Sequence, residues 1–403
     1  MADRALSDVK VLDLTWYIAG PYCTKMLADY GADVIKVERP GAGDLARNMG
    51  PFLGDDPHTE RSGLFLHLNT NKRGITLNLK SEAGKGIFKE LVKDADVLVE
   101  SFSPRVMPSL GLEYETLEKI NPRLVMTSIS NFGQSGPYRD FRASELTINA
   151  MNIAMQSTGL PDREPVKRGA TCVQYQSGLV AAVATMGALA VSRLQGIGQH
   201  VDVSIMETQA GTVDYSSMSL LAYSYTGEET PRADIRLAGL CILPYGVYPC
   251  KDGFVQFVMH PQWWTRFCQM VGMPEAEFKE RFPQLLDFTR KDEVTAVFLG
   301  WTMDHTKLEV MQAAQATRCA GTAIYTTEDL VADPHFQARE AFVEIDHPDS
   351  GTLKYPGAPI RMADTPWQVN RPAPLLGQHN EQVYGRLGYT REELVRLREG
   401  GVI

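Results

Sequence analysis

Cysteine is sparse and unpatterned in this chain: Cys23, Cys172, Cys241, Cys250, Cys268 and Cys319 form no CxxC spacing. The eight histidines show no HExxH or similar pairing, so no metal site is written into the sequence, and the cysteines read as ordinary reduced thiols. Positive charge is also short. The 40 Lys and Arg stand against 49 Asp and Glu, a net charge of -9. This argues against a nucleic-acid partner, because neutralising phosphates takes a basic face. Long hydrophobic runs are missing as well: LVAAVATMGALAV at 179–191 falls short of the roughly 18 residues a membrane span needs. The opening MADRALSDVK carries mixed charges and no apolar run, so it does not read as a secretory signal. A cytoplasmic protein without membrane attachment is the expectation. Low-complexity segments and internal repeats are likewise not found.

What is present is a rhythm of short β-branched runs and helical patterns. VKVLDL (9–14) and DVIKVE (33–38) read as strands flanking a helix at 21–31 that Gly31 closes. The alternation continues through GITLNL (74–79), a helix at 81–95, DVLVES (96–101), a helix ending near Ile120 and RLVMTSIS (123–130). Repeated βαβ units predict an α/β fold with a doubly wound parallel sheet. An apolar helix follows at 178–194, then a glycine turn, a strand and another helix across QGIGQHVDVSIMETQ. From 225 the pattern changes: YTGEETPRAD reads as a linker, LPYGVYPCKDGFVQFVM as a hairpin turning at Asp-Gly, and HPQWWTRFCQMVG opens a helical stretch. The expectation is a large domain from 1–224 and 331–403 and a smaller middle domain at 225–330. The tail reads as loops and short helices that rejoin the large domain.

The turn after the first strand, TWYIAGP, has one glycine where a dinucleotide-binding fingerprint wants three, which argues against a bound NAD. Cations instead gather around the strands: Arg39, Arg47, Lys72, Arg73 and Arg105. Sheets of this kind bind ligands at strand C-terminal ends, and arginine grips phosphate oxygens bidentately. A ligand carrying several phosphates fits that set, with solvated surface charge as the plainer reading of any single member.

The stretches AGPYCTKMLADYGADVIKVERPGAGD (19–44), NKRGITLNL (71–79), LGLEYETLEKINPRLVMTSISNFGQSGPY (110–138), QGIGQHVDVSIME (195–207) and PAPLLGQHNEQVYGRLG (372–388) resemble the class III CoA-transferases, the formyl-CoA and carnitine CoA-transferase group. The resemblance covers nearly the whole chain. It implies a large domain built from both chain ends, a smaller middle domain, and two subunits threaded through each other like linked rings. It further implies acyl-CoA and carboxylic acid substrates, with CoA thioester as substrate and no permanently bound cofactor. By position, CoA contacts fall on Tyr17, Ile18, Arg39, Lys72, Phe102, Arg105 and Arg142.

In that family an aspartate carboxylate attacks the donor thioester, forms a mixed anhydride, and is then thioesterified by the released CoA. The residue at its place, four before Gly178, is Gln174, and no acid occurs from Arg168 to Leu179. An amide is uncharged at neutral pH and a poor nucleophile. Glu145 is the one substitute candidate, and more plausibly positions its neighbours; Asp162 and Glu164 sit in a surface-like turn. The glycine-run loop of formyl-CoA transferases is missing too, its place taken by RLAGLCILPYG (236–246). The chain thus resembles the aspartate-lacking partner in two-gene members such as succinyl-CoA:benzylsuccinate CoA-transferase of aromatic degradation. An Asp-bearing paralogous subunit would complete a heterodimer or a dimer of dimers. Trp16, Tyr17 and Tyr175 could line an aryl pocket. The alternatives are a stand-alone acyl-CoA isomerase or epimerase, and a CoA-ester binding protein.

Overall fold

The computed structural model describes residues 4–212, 214–229, 232, 242–282 and 291–403. The end of the expected linker and the segment 236–241 of the expected loop lie outside them. Contacts divide the chain into two compact units, one of 1–157, 166–230 and 340–403, the other of 158–165 and 231–339.

The first unit is built on a six-stranded parallel sheet. Its elements run β1 (Lys10–Leu14), α1 (Ala19–Asp29), β2 (Asp33–Glu38), α2 (Gly63–Leu68), β3 (Arg73–Thr76), α3 (Glu82–Val92), β4 (Val97–Glu100), α4 (Val106–Leu110), α5 (Tyr114–Glu118) and β5 (Val125–Ser130). They continue with α6 (Glu145–Met151), α7 (Ile153–Gln156), α8 (Cys172–Gln195), β6 (Gln199–Ser204), α9 (Ile205–Thr212) and α10 (Asp214–Thr226). The strand order is β3-β2-β1-β4-β5-β6, the doubly wound arrangement the alternation predicts. β4 and β5 are buried at every position, as strands covered on both faces must be. Two apolar layers cover the sheet. One joins α1 and α8 to it through Cys23, Leu27, Val99, Val125, Ala181 and Leu189, and the other joins α3 through Ile87, Phe88 and Leu91.

Helix α8 begins six residues before the apolar stretch seen in the sequence and runs for 24 residues. By length and composition it passes the test for a membrane span. Within this unit, though, it packs along α1. A Cβ at Gly178 would lie 2.5 Å from the Ala19 carbonyl oxygen, so glycine is what lets the helices touch. Thr185, inside its apolar run, pairs with Thr127 of β5 at 2.8 Å.

The second unit holds the predicted hairpin, β7 (Ile242–Cys250) and β8 (Gly253–Met259), turning at Lys251-Asp252. Then come α11 (Trp264–Val271), α12 (Glu275–Arg281), α13 (Lys291–Met303), α14 (Lys307–Ala316), β9 (Ala320–Ala323), α15 (Thr327–Ala332) and α16 (Pro334–Ala338). Its core is aromatic, with Phe257, Phe267, Phe278 and Phe298 fully buried. It extends past residue 330 because Lys307 pairs with Asp329 and so fastens α15 to α14.

The tail returns to the first unit. It forms a hairpin, β10 (Phe342–His347) with β11 (Gly351–Pro356), that the sequence reading treated as loop. Two helices follow, α17 (Asn380–Arg386) and α18 (Arg391–Glu399). Tyr384 of α17 donates its hydroxyl to the Thr76 carbonyl at 2.6 Å, and so ties the tail to β3.

Candidate active site

In a doubly wound sheet the crevice opens where the strand order reverses, here between β1 and β4. A cavity of about 1010 Å³ lies there, lined by the residues that follow β1, β4 and β5, by the 139–145 segment and by Gln174. The turn after β1 is shaped by buried charge. Tyr17 adopts φ 71°, a left-handed conformation that non-glycine residues rarely take. Its N–H donates to Asp44 at 3.0 Å, and Asp44 is paired in turn with Lys36 at 2.7 Å, both side chains fully buried. Lys36 also donates to the Thr15 carbonyl at 3.0 Å. Salt-bridged and enclosed, these groups fix the turn that carries Trp16 and Tyr17 into the cavity.

Arg39, at the end of β2, lies over the Trp16 ring at 4.1 Å. Arg47 does not reach the cavity: it is buried, gripping Glu38 at 2.7 and 2.8 Å and Glu60 at 2.6 Å. Lys72 and Arg73 depart furthest from expectation. β3 starts at Arg73, so both stand at the entry of the strand rather than at its C-terminal end. Lys72 is wholly buried, donating to Asp13 at 3.0 Å, the Pro21 carbonyl at 2.9 Å, Thr24 at 2.8 Å and Asn69 at 3.0 Å. Its ammonium has no donor left for a ligand. The cation that follows the C-terminal end of β3 is the exposed Lys80. Burial opposes the Asp13 charge, but Lys72, Lys36 and the Thr15 and Thr24 hydroxyls outweigh it and hold the carboxyl at about 2. Burial drives Lys72 down to about 8, against the pull of Asp13. Both members of the pair are therefore charged at neutral pH.

Beyond β4, Ser101, Phe102 and Arg105 line the cavity. Phe102 is held by its N–H, which donates to Glu100 at 2.8 Å. Glu100 is buried, and burial raises it to about 7 despite the Ser128 hydroxyl and the Phe102 N–H. Arg105 is exposed and pairs bidentately with Asp140 at 2.9 and 2.6 Å. Arg142 also lines the cavity, whereas Ile18 is buried at the start of α1 and Tyr175 turns to Tyr22, ring centroids 4.8 Å apart.

Gln174 sits in the first turn of α8, 6% exposed, with its side chain on the cavity. Thr171, at the N-cap of α8, makes no side-chain cap. Glu145 takes that part: its Oε1 accepts the Val173 N–H at 3.1 Å, and Lys167 stands at 4.0 Å. A carboxylate at a helix N-terminus is stabilised by the helix dipole as well as by the bond. Its Oε2 is buried with no partner among the described residues. Of the expected set, Tyr17, Phe102, Arg105, Arg142, Glu145 and Gln174 come together, while Ile18, Arg39 and Lys72 do not line the cavity. No cluster of metal-ligating side chains occurs among the described residues.

The model of CoA-transferase family III matches residues 6–380. The chain belongs to that family. It is 33% identical over 99% of its length to a succinyl-CoA:D-citramalate CoA-transferase of Chloroflexus aurantiacus, covering 98% of that protein. It is also 33% identical to a succinate:glutarate CoA-transferase of Agrobacterium fabrum, covering 95% of each chain. A formyl-CoA:oxalate CoA-transferase of Streptomyces coelicolor matches at 33% over the whole of both chains. Among solved structures, a CAIB/BAIF family protein from Brucella suis superposes with a TM-score of 0.85 at 28% identity, covering 96% of this chain and all of that one. The family resemblance and the α/β fold read from the sequence are thus borne out. This class III CoA-transferase takes CoA thioesters as substrates.

Proposed function

We propose that this chain is the aspartate-lacking subunit of a heteromeric class III CoA-transferase, working with a paralogous subunit that supplies the nucleophile. Gln174 carries the reading. It occupies the cavity wall in the first turn of α8, and the carboxylates lining the cavity, Asp140 and Glu145, are committed to Arg105 and to the α8 N-terminus. In the assembly the partner's aspartate attacks the thioester carbonyl and releases CoA thiolate. That thiolate then attacks the resulting aspartyl anhydride, frees the donor acid and leaves the aspartyl-CoA thioester. An interlocked pair brings the two chains into one assembly, and exposed apolar side chains on α8 and α10, among them Val183, Leu194, Met218, Leu221 and Tyr225, suit a protein surface that is covered in use.

Arg105, Arg142 and the nearby Arg39 meet the phosphates of CoA. For the acids, the reading is succinyl-CoA as donor and an aryl-substituted succinate, (R)-benzylsuccinate, as acceptor. Trp16, Tyr17, Phe102 and Phe141 give the cavity an aromatic wall for the aryl group. Tyr175 has no part in it.

The test is CoA transfer from succinyl-CoA to benzylsuccinate by this chain alone, by this chain with its Asp-bearing paralogue, and by Gln174→Asp alone. Activity is expected in the mixture and, at a lower level, in the Gln174→Asp variant. Turnover by the unmodified chain alone would overturn the heteromer and make Glu145 the nucleophile to test.

A further inference from the structure

The edge of the sheet where β2 and β3 begin gathers positive charge, in a protein whose net charge is -9. Arg73 grips Asp33 with Nε and Nη2 at 2.9 and 2.5 Å, and its side chain is 5% exposed. Its third nitrogen, Nη1, is buried without a partner. Arg371 is set beside it by a backbone exchange: the Asn71 N–H donates to the Arg371 carbonyl at 3.1 Å, and the Arg371 N–H donates to Asn71 Oδ1 at 3.4 Å. His379 is fixed by Gly74, whose N–H donates to His379 Nδ1 at 3.1 Å; the proton therefore rests on Nε2, which is left as a donor.

Arg4, packed where a Cβ on Gly31 would fall, and Arg386, the last residue of α17, complete the group. Burial, Arg73, Arg4 and Arg386 all weaken the protonation of Arg371, with Asp33 alone opposing them. Burial, Arg371 and Arg73 do the same to His379. Among the described residues Arg4, Arg371 and Arg386 form no ion pair. Arg371 and His379 are thus held by backbone contacts at Asn71 and Gly74, on either side of Arg73, whose guanidinium grips Asp33, and Arg4 and Arg386 act on Arg371 through space. Arginine on an open surface would be solvated, but Arg73 is enclosed and Arg371 half-buried, where like charges repel more strongly.

We propose that Arg73, Arg371, Arg386, Arg4 and His379 form a binding site for a small oxyanion, a phosphate or carboxylate group, at the strand-entry edge of the sheet and apart from the CoA cavity. Guanidinium forks suit such a group, and the unpartnered Nη1 supplies a donor already desolvated. Arg4 precedes β1 and Arg73 opens β3, while Arg371, His379 and Arg386 belong to the returning tail, so the anion staples the two chain ends of the first unit together.

The experiment follows thermal unfolding of the full chain while inorganic phosphate, and in parallel succinate, replaces chloride at constant ionic strength. A saturable rise in Tm is expected with at least one of them, since a ligand of the folded state stabilises by mass action. Arg371→Met and Arg386→Ala should each remove most of that rise. In chloride alone Arg371→Met should itself raise Tm, because it relieves repulsion; a merely structural arginine would give the opposite sign. Arg105→Ala, altered in the cavity, should keep the full response. The proposal is overturned if neither anion exceeds chloride, if the response survives both tail substitutions, or if Arg105→Ala abolishes it.

Discussion

Lys72→Met separates a structural lysine from a ligand-binding one. The ammonium occupies a closed nest of four oxygens, from Asp13, Pro21, Thr24 and Asn69, at 2.8 to 3.0 Å. Methionine fills the volume but leaves Asp13 fully buried with only Lys36 as countercharge and Thr15 and Thr24 as donors. Removing one partner of a buried pair costs about 3 kcal/mol or more, because the other charge stays desolvated. For a unit of this size that is a fall in Tm of about 6 to 12 °C. Urea unfolding followed by circular dichroism and a calorimetric titration of CoA, at a temperature where the variant is folded, measure the two consequences. The expected result is a large loss of stability with CoA affinity changed less than about threefold. Unchanged stability with affinity weakened tenfold would refute the burial argument and return Lys72 to the CoA site.

Glu100 predicts a pH dependence with a definite sign. Its carboxyl titrates at about 7 when folded against an ordinary 4.5, so between these values the folded state holds a proton that the unfolded state has released. Stability then falls as pH rises from 4.5 to 7, by about 3 kcal/mol from this group. Neighbouring Asp202 adds to the shift, and His200, held below its ordinary value by burial, contributes with the opposite sign. The comparison is therefore wild type against Glu100→Gln, whose ΔG against pH should lack the decline; identical slopes would refute it. Arg105→Ala should weaken CoA binding about tenfold, the worth of one charge-assisted hydrogen bond. It should also flatten the salt dependence and leave Tm unchanged, since its pair with Asp140 is exposed; unaltered CoA titrations would remove Arg105 from the site.

The strands of the first unit were legible because each is a β-branched run with a turn or helix signal at either end. DVIKVE reads as a strand and is one over the same six residues, Asp33–Glu38. The β10–β11 hairpin was missed although its signal is present: two alternating runs, FVEIDH and GTLKYP, are joined by Pro348, Asp349 and Ser350, with Gly351 opening the second. The first turn of α8 was hidden for a different reason. Cys172 to Ser177 carries no apolar stripe, and its N-terminus is satisfied by a glutamate 28 residues earlier in the chain, which local capping rules cannot find.

The cation cluster shows the same limit from the side of function. Order along the chain places Lys72 and Arg73 next to a strand but does not say at which end, and the partners that neutralise them, Asp13 and Asp33, lie 59 and 40 residues away. Glu145 is the converse case, a carboxylate that reaches the cavity already employed. Its Oε1 caps α8 one residue before Gln174, and accepting that N–H at the positive end of a helix stabilises the anion and lowers its readiness to attack a carbonyl. A glutamate moved to serve as nucleophile would leave the Val173 N–H uncapped in a partly buried site. The geometry therefore sets a cost against the substitute acid, and that cost favours an acid delivered by another chain.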